Sequence, residues 1–339
     1  MENGGRLTMI ENLWKGIALI SASEDGYKAG EIIKEKLRNL EIPVVHYRYQ
    51  EAKIEDIWKC YNAVIFIMAL EGATRIVCKY AKAKNEDPPV ICIDDKINYV
   101  IPLIGGHWGA NEIAKELAQM FNATAVITTA AELKGKLSVE KIAEILIAKI
   151  INPESIVRVN SALLRDEIVC VIGANKIPPL SQNNIKFNSE DCKYIITLDY
   201  NKEYDSNKII VKLKPLKLAI GIGSKKEVNL SEIREGIYKI LERLNVDINR
   251  VGVIASIREE VRKLAEELNV KFRLINENEI NNFTNPCLTP PSKTLTELGL
   301  KGVAEVSALI AGGKSSKLIL RKIPLSKSIT IAVASYEEE

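Results

Sequence analysis

The sequence predicts an α/β fold in which mainly parallel sheets are covered by helices on both faces. Short runs that are almost wholly apolar, such as Gly16–Ala22 and Ala63–Met68, alternate along the chain with amphipathic stretches. Strands without a polar side are typical of parallel sheets, because helices cover both faces of such sheets. In the N-terminal part we predict further strands at Val44–Tyr49, Val90–Ile93, Val100–Leu103 and Ala125–Thr128, and helices at Gly26–Leu40, Ile54–Cys60 and Ala110–Phe121. Helical spacing places Ile32, Leu37 and Leu40 on one side of the first of these helices.

The alternation weakens in the middle of the chain and then resumes, which predicts three regions. We place an N-terminal α/β domain at residues 1–134, a smaller middle linking region at 135–215 and a C-terminal α/β domain at 216–339. In the middle region we predict a helix at Val139–Ile151 and strands at Ile168–Ile172, Tyr194–Leu198 and Ile209–Leu213. In the C-terminal domain we predict strands at Leu218–Ile222, Val251–Ala255, Lys271–Ile275, Lys317–Lys322 and Ile329–Val333. We predict one helix that begins after the N-cap Asn229, and two more at Glu259–Leu268 and Val303–Ala311. The segment Pro286–Ser292 is predicted to be irregular.

Composition points to an ordinary soluble enzyme or binding protein. The 339 residues are 47% hydrophobic and carry a net charge of only +3, so no basic field favours nucleic acid or an acidic membrane surface. The longest apolar run, Ala63–Leu70, is too short to span a bilayer, which needs roughly 20 residues. The apolar stretch Gly16–Ala22 lacks the pattern of a signal peptide, so we expect a cytoplasmic protein with neither a nucleic acid nor a membrane as partner.

Cysteine and histidine usage limits the metal and disulfide chemistry that we expect. The six cysteines lie far apart and form no C-x-x-C pair, which favours buried reduced thiols over disulfides or a zinc site. The only histidines are His46 and His107, which excludes a site built from several histidines. These patterns argue against a zinc site and against a metal site built from several histidines.

The most distinctive motif is a glycine-rich turn that follows the strand Val100–Leu103. Gly105, Gly106 and Gly109 allow a ligand to approach the backbone, and amides at a helix start favour anionic groups. One helix terminus contributes only about 0.3–1 kcal/mol to a nearby charge, so it orients a ligand more than it holds it. Ligands usually bind at the carboxyl edge of a parallel sheet, and we expect this turn to lie there.

His107 lies inside this turn and is the first candidate for proton transfer. An unperturbed imidazole titrates near pH 6.5 and can therefore accept or donate a proton at neutral pH. Asn111 follows the turn at the start of the next helix. The alternative interpretation is structural: His107 and Trp108 cap the sheet, and the glycines serve only the turn.

Other polar residues near strand ends are weaker candidates, and each has a structural alternative. Thr128 and Thr129 could bind a carboxylate or cap a helix. Gly221 and Gly223 precede Lys225 and Lys226, which could hold carboxylates or belong to the solvated surface. Lys226 stands where the third glycine of a dinucleotide fingerprint belongs, so that motif fails.

Two further charged residues complete the set. Glu305 lies among apolar residues in the helix Val303–Ala311, where burial would raise its pKa; the alternative is a side chain that points to solvent. Arg75 follows the strand Ala63–Met68 and could clamp a carboxylate.

Several segments stand in the order and at the spacing found in one known family, and together they cover nearly the whole chain. They are Ala63–Ala69 with Arg75, Asp87–Val90, Pro102–Asn111, Val126–Ala130, Leu218–Gly223, Val303–Glu305 and Ile329–Ala334. In this combination the chain resembles the cobalt-precorrin-5A hydrolases of the anaerobic cobalamin (vitamin B12) pathway.

The chain departs from the pattern of that family at three places. Gly105 stands where the family turn has serine, and one glycine after Trp108 is missing. Ser224, Lys225 and Lys226 replace a common cysteine and two arginines, so a catalytic cysteine at that turn is excluded. The segment Ser256–Glu260 lacks an acidic residue followed by lysine.

The resemblance implies a hydrolase that opens the ring-A lactone of cobalt-precorrin-5A, releases acetaldehyde and gives cobalt-precorrin-5B. This would make the chain a carbon–carbon bond hydrolase with a tetrapyrrole substrate. The cobalt arrives with that substrate, so the resemblance implies no further cofactor. We expect His107 and Glu305 to be catalytic. We expect substrate contacts from Gly105, Gly106, Gly109, Asn111, Thr128, Thr129, Arg75, Gly221, Gly223, Lys225 and Lys226, with the two glycine turns facing a shared cleft.

Two alternatives from other classes stay open on the sequence. The first is a non-catalytic protein that binds corrinoid intermediates, because the C-terminal domain of the family also occurs alone. The second is a nucleotide-dependent α/β enzyme, against which the failed fingerprint and the missing Walker lysine argue. For the hydrolase itself, the resemblance leaves open a homo-oligomer and transient contacts with other enzymes of the cobalamin pathway.

Overall fold

Three mainly parallel sheets with flanking helices make up the molecule, which confirms the predicted α/β class. The computed structural model describes residues 9–83, 86–128, 137–177, 184–225, 229–297 and 299–338. Residues 1–131 and 218–337 form one compact unit, and residues 132–217 with 338–339 form a second. No helix within the described ranges is both long and apolar enough to cross a membrane.

The first sheet has the strand order β2-β1-β3-β4-β5-β6. Its strands are β1 (Ile17–Ser21), β2 (Val44–Arg48), β3 (Ala63–Ile67), β4 (Val90–Ile93), β5 (Tyr99–Ile104) and β6 (Thr124–Ala125). Strands β2, β1, β3 and β4 are parallel. Strand β5 runs antiparallel to β4, and β6 is parallel to β5. The sheet is therefore parallel on one side and reverses its direction between β4 and β5.

Helices cover both faces of the first sheet, as its apolar strands predict. They are α1 (Glu24–Asn39), α2 (Ile54–Cys60), α3 (Leu70–Tyr80) and α4 (Ala110–Phe121). Residues of α1 and α4 share one buried cluster with Ile17 and Leu19, and residues of α2 and α3 share another with Ala18 and Ile20. Alternate residues of a single strand thus reach opposite cores.

The buried side of α1 agrees with the predicted one at Leu37 but not at Ile32 and Leu40. Ile32 is 57% exposed and Leu40 is 44% exposed, whereas Ile33 and Leu37 are fully buried. Ala29 joins the buried side four residues before Ile33, and Gly30 leaves room there for a strand residue. The prediction failed at Ile32 and Leu40 because the buried side of α1 includes the small residues Ala29 and Gly30, which a search for large apolar residues overlooks.

The middle unit contains a five-stranded sheet of order β7-β11-β10-β8-β9 with two helices. Its elements are α5 (Val139–Ile145), β7 (Ala148–Ile150), α6 (Ile156–Leu164), β8 (Val169–Ile172), β9 (Ile185–Phe187), β10 (Tyr194–Thr197) and β11 (Ile209–Pro215). The predicted helix Val139–Ile151 is wrong in its second half. Ile147 has a φ of 50°, which ends the helical path, and the chain continues as β7 antiparallel to β11.

The third sheet has the order β14-β13-β12-β16-β15. Its strands are β12 (Lys217–Ser224), β13 (Val251–Ser256), β14 (Lys271–Leu274), β15 (Lys317–Pro324) and β16 (Ile329–Tyr336). The helices are α7 (Leu230–Leu244), α8 (Val261–Glu267), α9 (Glu277–Asn282), α10 (Lys293–Glu297) and α11 (Ala304–Gly312). Strands β12, β13 and β14 are parallel, and β15 pairs with β16 in the antiparallel sense. Asn229 caps α7 by accepting a hydrogen bond from the Glu232 amide.

Two disulfides contradict the expectation that the cysteines are reduced. Cys60 pairs with Cys287 within the larger compact unit, and Cys170 pairs with Cys192 within the middle unit. Cys78 and Cys92 are free. The partners of the first pair are 227 residues apart, so local spacing carries no signal for it.

Candidate functional site

The Gly105–Gly109 turn lies at the amino edge of the parallel strands of the first sheet. Because β5 is antiparallel to β4, Ile104 pairs with Val90 at the start of β4, and the turn follows there. An added Cβ at Gly105 would lie 2.6 Å from the Pro89 Cα, so the turn packs tightly against the chain that enters β4. The expectation of a carboxyl-edge position was therefore wrong.

Within this turn the glycines have different roles. Gly105 and Gly109 have φ values of 82° and 92°, in the left-handed region that favours glycine. The Gly109 amide donates to the Gly106 carbonyl, and the Met9 side chain covers the Gly109 Cα. Gly106 is exposed and an added Cβ would meet no atom within 4 Å, so a ligand could reach the backbone at Gly106. The side chain of His107 lies outside the described residues, and Asn111 is in the first turn of α4.

No hydrogen bond or ion pair within the described residues joins Arg75 or Thr128 to the Gly105–Gly109 turn. Arg75 is exposed on α3 and forms an ion pair with Glu71 on the same helix. Thr128 is exposed beyond the end of β6, three residues after Ala125. Thr129 lies outside the described residues.

Gly221 and Gly223 lie within strand β12, near the carboxyl edge of the third sheet, so the predicted turn at these glycines is wrong. Ile222 near the end of β12 pairs with Ser256 at the end of β13, and Ser256 pairs with Leu274 at the end of β14. Three parallel strands thus end side by side, and the polar residues after them gather at one edge.

Gly221 and Gly223 allow helix α11 to approach this edge. An added Cβ at Gly221 would lie 1.9 Å from the Ala304 carbonyl oxygen and 2.6 Å from the Ala308 nitrogen. At Gly223 it would lie 2.7 Å from the Thr330 hydroxyl oxygen. These contacts give both glycines a packing role, and the face of Gly221 is covered by protein.

The residues that follow Gly223 present polar groups at the same edge. Lys225 is exposed and its amide donates to the Ser328 carbonyl. Lys226 lies outside the described residues. Ser224 and Arg258 stand at the ends of neighbouring strands, and sequence reasoning did not select either of them for binding.

Glu305 is almost fully buried in the first turn of α11, at 3% exposure, and its oxygens accept hydrogen bonds from the protein itself. The Thr289 amide donates to Oε2 at 2.7 Å, and the Thr289 hydroxyl donates to Oε1 at 2.7 Å. The Lys322 amide donates to Oε1 at 3.0 Å. These contacts tie the Pro286–Ser292 segment to α11 and β15, and they favour a structural role for the carboxylate.

Arg321 lies beside Glu305 and connects the N-terminal and C-terminal parts of the larger unit. The guanidinium, 1% exposed, donates to the carbonyls of Lys15, Cys60 and Cys287 at 2.8–3.1 Å. It also lies 3.9 Å from the centroid of the Tyr61 ring. Cys287 packs against the same buried cluster as Ile104, the residue before the first glycine turn. The Pro286–Ser292 segment thus contacts Glu305 through Thr289 and shares a buried cluster with Ile104 through Cys287, while the shared cleft stays a prediction.

His46 forms a buried hydrogen-bond chain that sequence reasoning missed. Its Nε2 lies 2.8 Å from the Ser21 hydroxyl, and its Nδ1 lies 2.7 Å from a Glu31 carboxylate oxygen. The ring stacks on Tyr27 with centroids 4.3 Å apart. Burial lowers the pKa of His46, although Glu31 opposes this shift. Ser21 is itself 2% exposed, so this chain is closed to a large substrate.

Known proteins match this chain over most of its length. Three family models match in order: Cobalamin synthesis G N-terminal at residues 52–132, CbiG-like linker domain at 137–216 and Cobalamin synthesis G C-terminus at 218–334. A crystal structure of a cobalamin biosynthesis protein G homologue from Sulfolobus solfataricus is 65% identical, with a TM-score of 0.87, and the match covers 97% of this chain and 100% of that one. The chain belongs to the cobalamin synthesis G family.

Two relatives of this chain carry an activity in their names. The "Probable cobalt-precorrin-5A hydrolase" of Methanocaldococcus jannaschii is 26% identical over 325 residues, which span 91% of this chain and 96% of that protein. The cobalt-precorrin-5A hydrolase of Priestia megaterium is 24% identical over 310 residues, which span 84% of this chain and 82% of that protein. Both matches include all three regions of the family.

Proposed function

We propose that the chain is a cobalt-precorrin-5A hydrolase of cobalamin biosynthesis. The observation that carries this proposal is the match over nearly the full length of two relatives named for that activity. The carboxyl edge of the third sheet supports it, because basic and hydroxyl side chains gather there where an anionic ligand would bind. The substrate is a cobalt-bearing tetrapyrrole whose acetate and propionate groups are such anions.

The reaction consists of a lactone opening followed by a carbon–carbon cleavage. Water adds to the carbonyl carbon of the ring-A lactone, and the acyl–oxygen bond breaks to give a carboxylate and a hydroxyl group on the methylated meso carbon. That hydroxyl then loses its proton and the bond from the meso carbon to the macrocycle breaks. The meso carbon and its methyl leave as acetaldehyde, and the bonding electrons stay with the macrocycle. A base for water, a donor to the lactone oxygen and a proton acceptor for the hydroxyl are required.

His107 is our candidate for the proton transfers, beside the open backbone at Gly106. Histidine is the residue type in this turn whose unperturbed pKa lies near neutral pH. Gly106 is exposed and unobstructed, so an amide of this turn can approach a substrate oxygen. Gly109 is covered by Met9 and its amide is already bonded, so the negative charge would be stabilised nearer to Gly106.

In this proposal Glu305 has a structural role and does not take part in proton transfer. Its two oxygens already accept three protein hydrogen bonds, and it holds Thr289 and the segment around it. Lys225 remains a candidate for a substrate carboxylate, since it is exposed at the carboxyl edge of the third sheet.

The proposal is tested with purified protein and the lactone-containing substrate. We expect acetaldehyde and a corrinoid that has lost the two-carbon fragment, both dependent on protein concentration. Tight binding of the corrinoid without release of acetaldehyde would contradict the hydrolase and favour a protein that carries corrinoid intermediates.

A further inference from the structure

Two buried polar groups at the carboxyl edge of the third sheet have no hydrogen-bond partner among the described residues. They are the Ser224 hydroxyl oxygen and the Arg258 Nε. A buried polar group without a partner costs about 1–3 kcal/mol, and the cost is larger for a charged group. Native proteins therefore rarely keep such groups without a ligand or water to bind them.

The backbone brings these two residues to the ends of neighbouring strands. Ile222 of β12 pairs with Ser256 of β13, and Ser224 and Arg258 each stand two residues beyond that pair. Adjacent strands lie about 4.8 Å apart, so the ends of β12 and β13 lie side by side. Ser224 is the last residue of β12, and Arg258 follows a bend at Ile257 just after β13.

A hydrogen-bond relay through Ser256 fixes the start of the Arg258 segment. The fully buried Ser256 hydroxyl donates to the Ile222 carbonyl at 3.0 Å and accepts from the Arg258 amide at 3.1 Å. The chain after β13 is thereby attached to β12, which carries Ser224. The next arginine, Arg262, is paired with Glu259 on the exposed side of α8 and offers a comparison.

From this geometry we infer that Arg258 and Ser224 form a binding subsite for one carboxylate of the tetrapyrrole substrate. A guanidinium binds a carboxylate through two parallel N–H donors, and Nε is one of the donors suited to that contact. The serine hydroxyl supplies a third donor beside it. Lys225 adds positive charge at the same edge. This inference rests on the proposed function, since it takes the acetate and propionate groups of the substrate as the ligand.

The subsite is tested by calorimetric titration with cobalt uroporphyrin III, a stable tetrapyrrole rich in acetate and propionate groups. Arg258→Gln should raise the dissociation constant about 10- to 100-fold, the loss expected for a hydrogen-bonded ion pair. Ser224→Ala should raise it less, by about two- to tenfold. The matched control is Arg262→Gln, which removes the same charge from the exposed pair with Glu259 and should leave binding unchanged.

A second variant and a second readout separate the possible failures. Arg258→Lys keeps the charge but loses the paired donors, so it should fall between the wild type and Arg258→Gln in affinity. If Arg258→Gln has a lowered melting temperature, the affinity of Arg258→Lys for the porphyrin is used to test the subsite instead. Unchanged affinity in Arg258→Gln, or no binding of the porphyrin by the wild type, would overturn the subsite. Release of acetaldehyde from the lactone substrate is measured separately, and its absence alone would contradict the proposed function.

Discussion

His46 is held by side chains from β1 and α1, at the edge opposite the Gly105–Gly109 turn. Ser21 and Glu31 contact its two ring nitrogens, and Tyr27 stacks on its face. An added Cβ at Gly30 would lie 2.4 Å from the ring, so this glycine makes the space that the imidazole fills. Burial of the ring, the largest influence on it, favours the neutral form.

The His46 site predicts a loss of stability in mild acid. Its pKa is lowered in the folded protein, whereas the unfolded chain titrates near pH 6.5. As the pH falls below about 6.5, the unfolded state therefore binds more protons than the folded state, and the free energy of unfolding decreases. Urea unfolding of the wild type and of His46→Asn at a series of pH values measures this.

The variant should be less stable at neutral pH and should show a smaller decrease on acidification. The neighbours Glu31, Lys34 and Arg48 are unchanged in it, so the difference between the two curves belongs to His46. Parallel curves for the two proteins would show that the site does not titrate in this way.

The other histidine carries our catalytic prediction. His107→Asn keeps a polar side chain but cannot transfer a proton near neutral pH. If His107 is the acid or base, kcat for acetaldehyde release should fall about 10²- to 10⁴-fold, with corrinoid affinity and melting temperature little changed. A variant that turns over at nearly the normal rate would remove His107 from the chemistry.

Site residues could be predicted from the sequence where they belong to a motif of neighbouring residues. Glycines and a histidine in one turn drew attention to His107, and a lysine pair after Gly223 drew attention to Lys225. The surroundings of His46, Ser224 and Arg258 depend on which strands are neighbours, and a single sequence does not contain that. A weak signal did exist for His46, since Gly26 and Gly30 lie four residues apart on α1 and mark a close approach.

At the scale of elements, helix α11 packs closely against strand β12 at Gly221. The Gly221 Cα faces the Ala304 carbonyl, and the helix lies over the strand at this point. The residues around Glu305 in α11 are nearly all buried, which matches a helix enclosed between a sheet and the Pro286–Ser292 segment.

Gly221→Ala should therefore destabilise the fold by about 1–3 kcal/mol or more, because the new methyl group would overlap the α11 backbone. The control is Gly106→Ala, whose methyl group would meet no atom within 4 Å. Denaturant midpoints of the two variants measure the difference. Equal midpoints would mean that α11 can move away from β12 at little cost.

The strands of the first sheet were largely predictable, and the direction of β5 could also have been inferred. Only five residues separate Ile93 at the end of β4 from Tyr99 at the start of β5. A parallel connection needs a crossover of a dozen or more residues, so this link requires an antiparallel pair. By contrast, the end of α5 was not predictable, because the apolar run after Ile145 suits a helix as well as a strand.

At the scale of the whole molecule, one cluster ties the N-terminal and C-terminal parts of the larger unit together. Arg321 donates to carbonyls from both parts, and the Cys60–Cys287 disulfide crosses between them at the same place. The carbonyls of both bonded cysteines are acceptors for Arg321. A buried guanidinium needs such partners, because an unpaired buried charge is strongly destabilising.

Removal of this disulfide should lower the stability of the whole unit. Cys287→Ser should reduce the free energy of unfolding by about 2–5 kcal/mol, since the unfolded chain regains freedom over a long loop. The control is Cys78→Ser, which replaces an exposed free thiol. Thermal melts without reductant compare the variants, and equal melting temperatures would show that the Arg321 contacts suffice on their own.

The hydrolase assignment is tested most directly by a single turnover in water labelled with heavy oxygen. Hydrolysis at the lactone carbonyl predicts one labelled oxygen in the ring-A acetate of the corrinoid product, together with one equivalent of acetaldehyde. Mass spectrometry of the corrinoid and chemical trapping of the aldehyde measure both. Acetaldehyde released without label in the corrinoid, or an intact lactone after prolonged incubation with folded protein, would contradict the account.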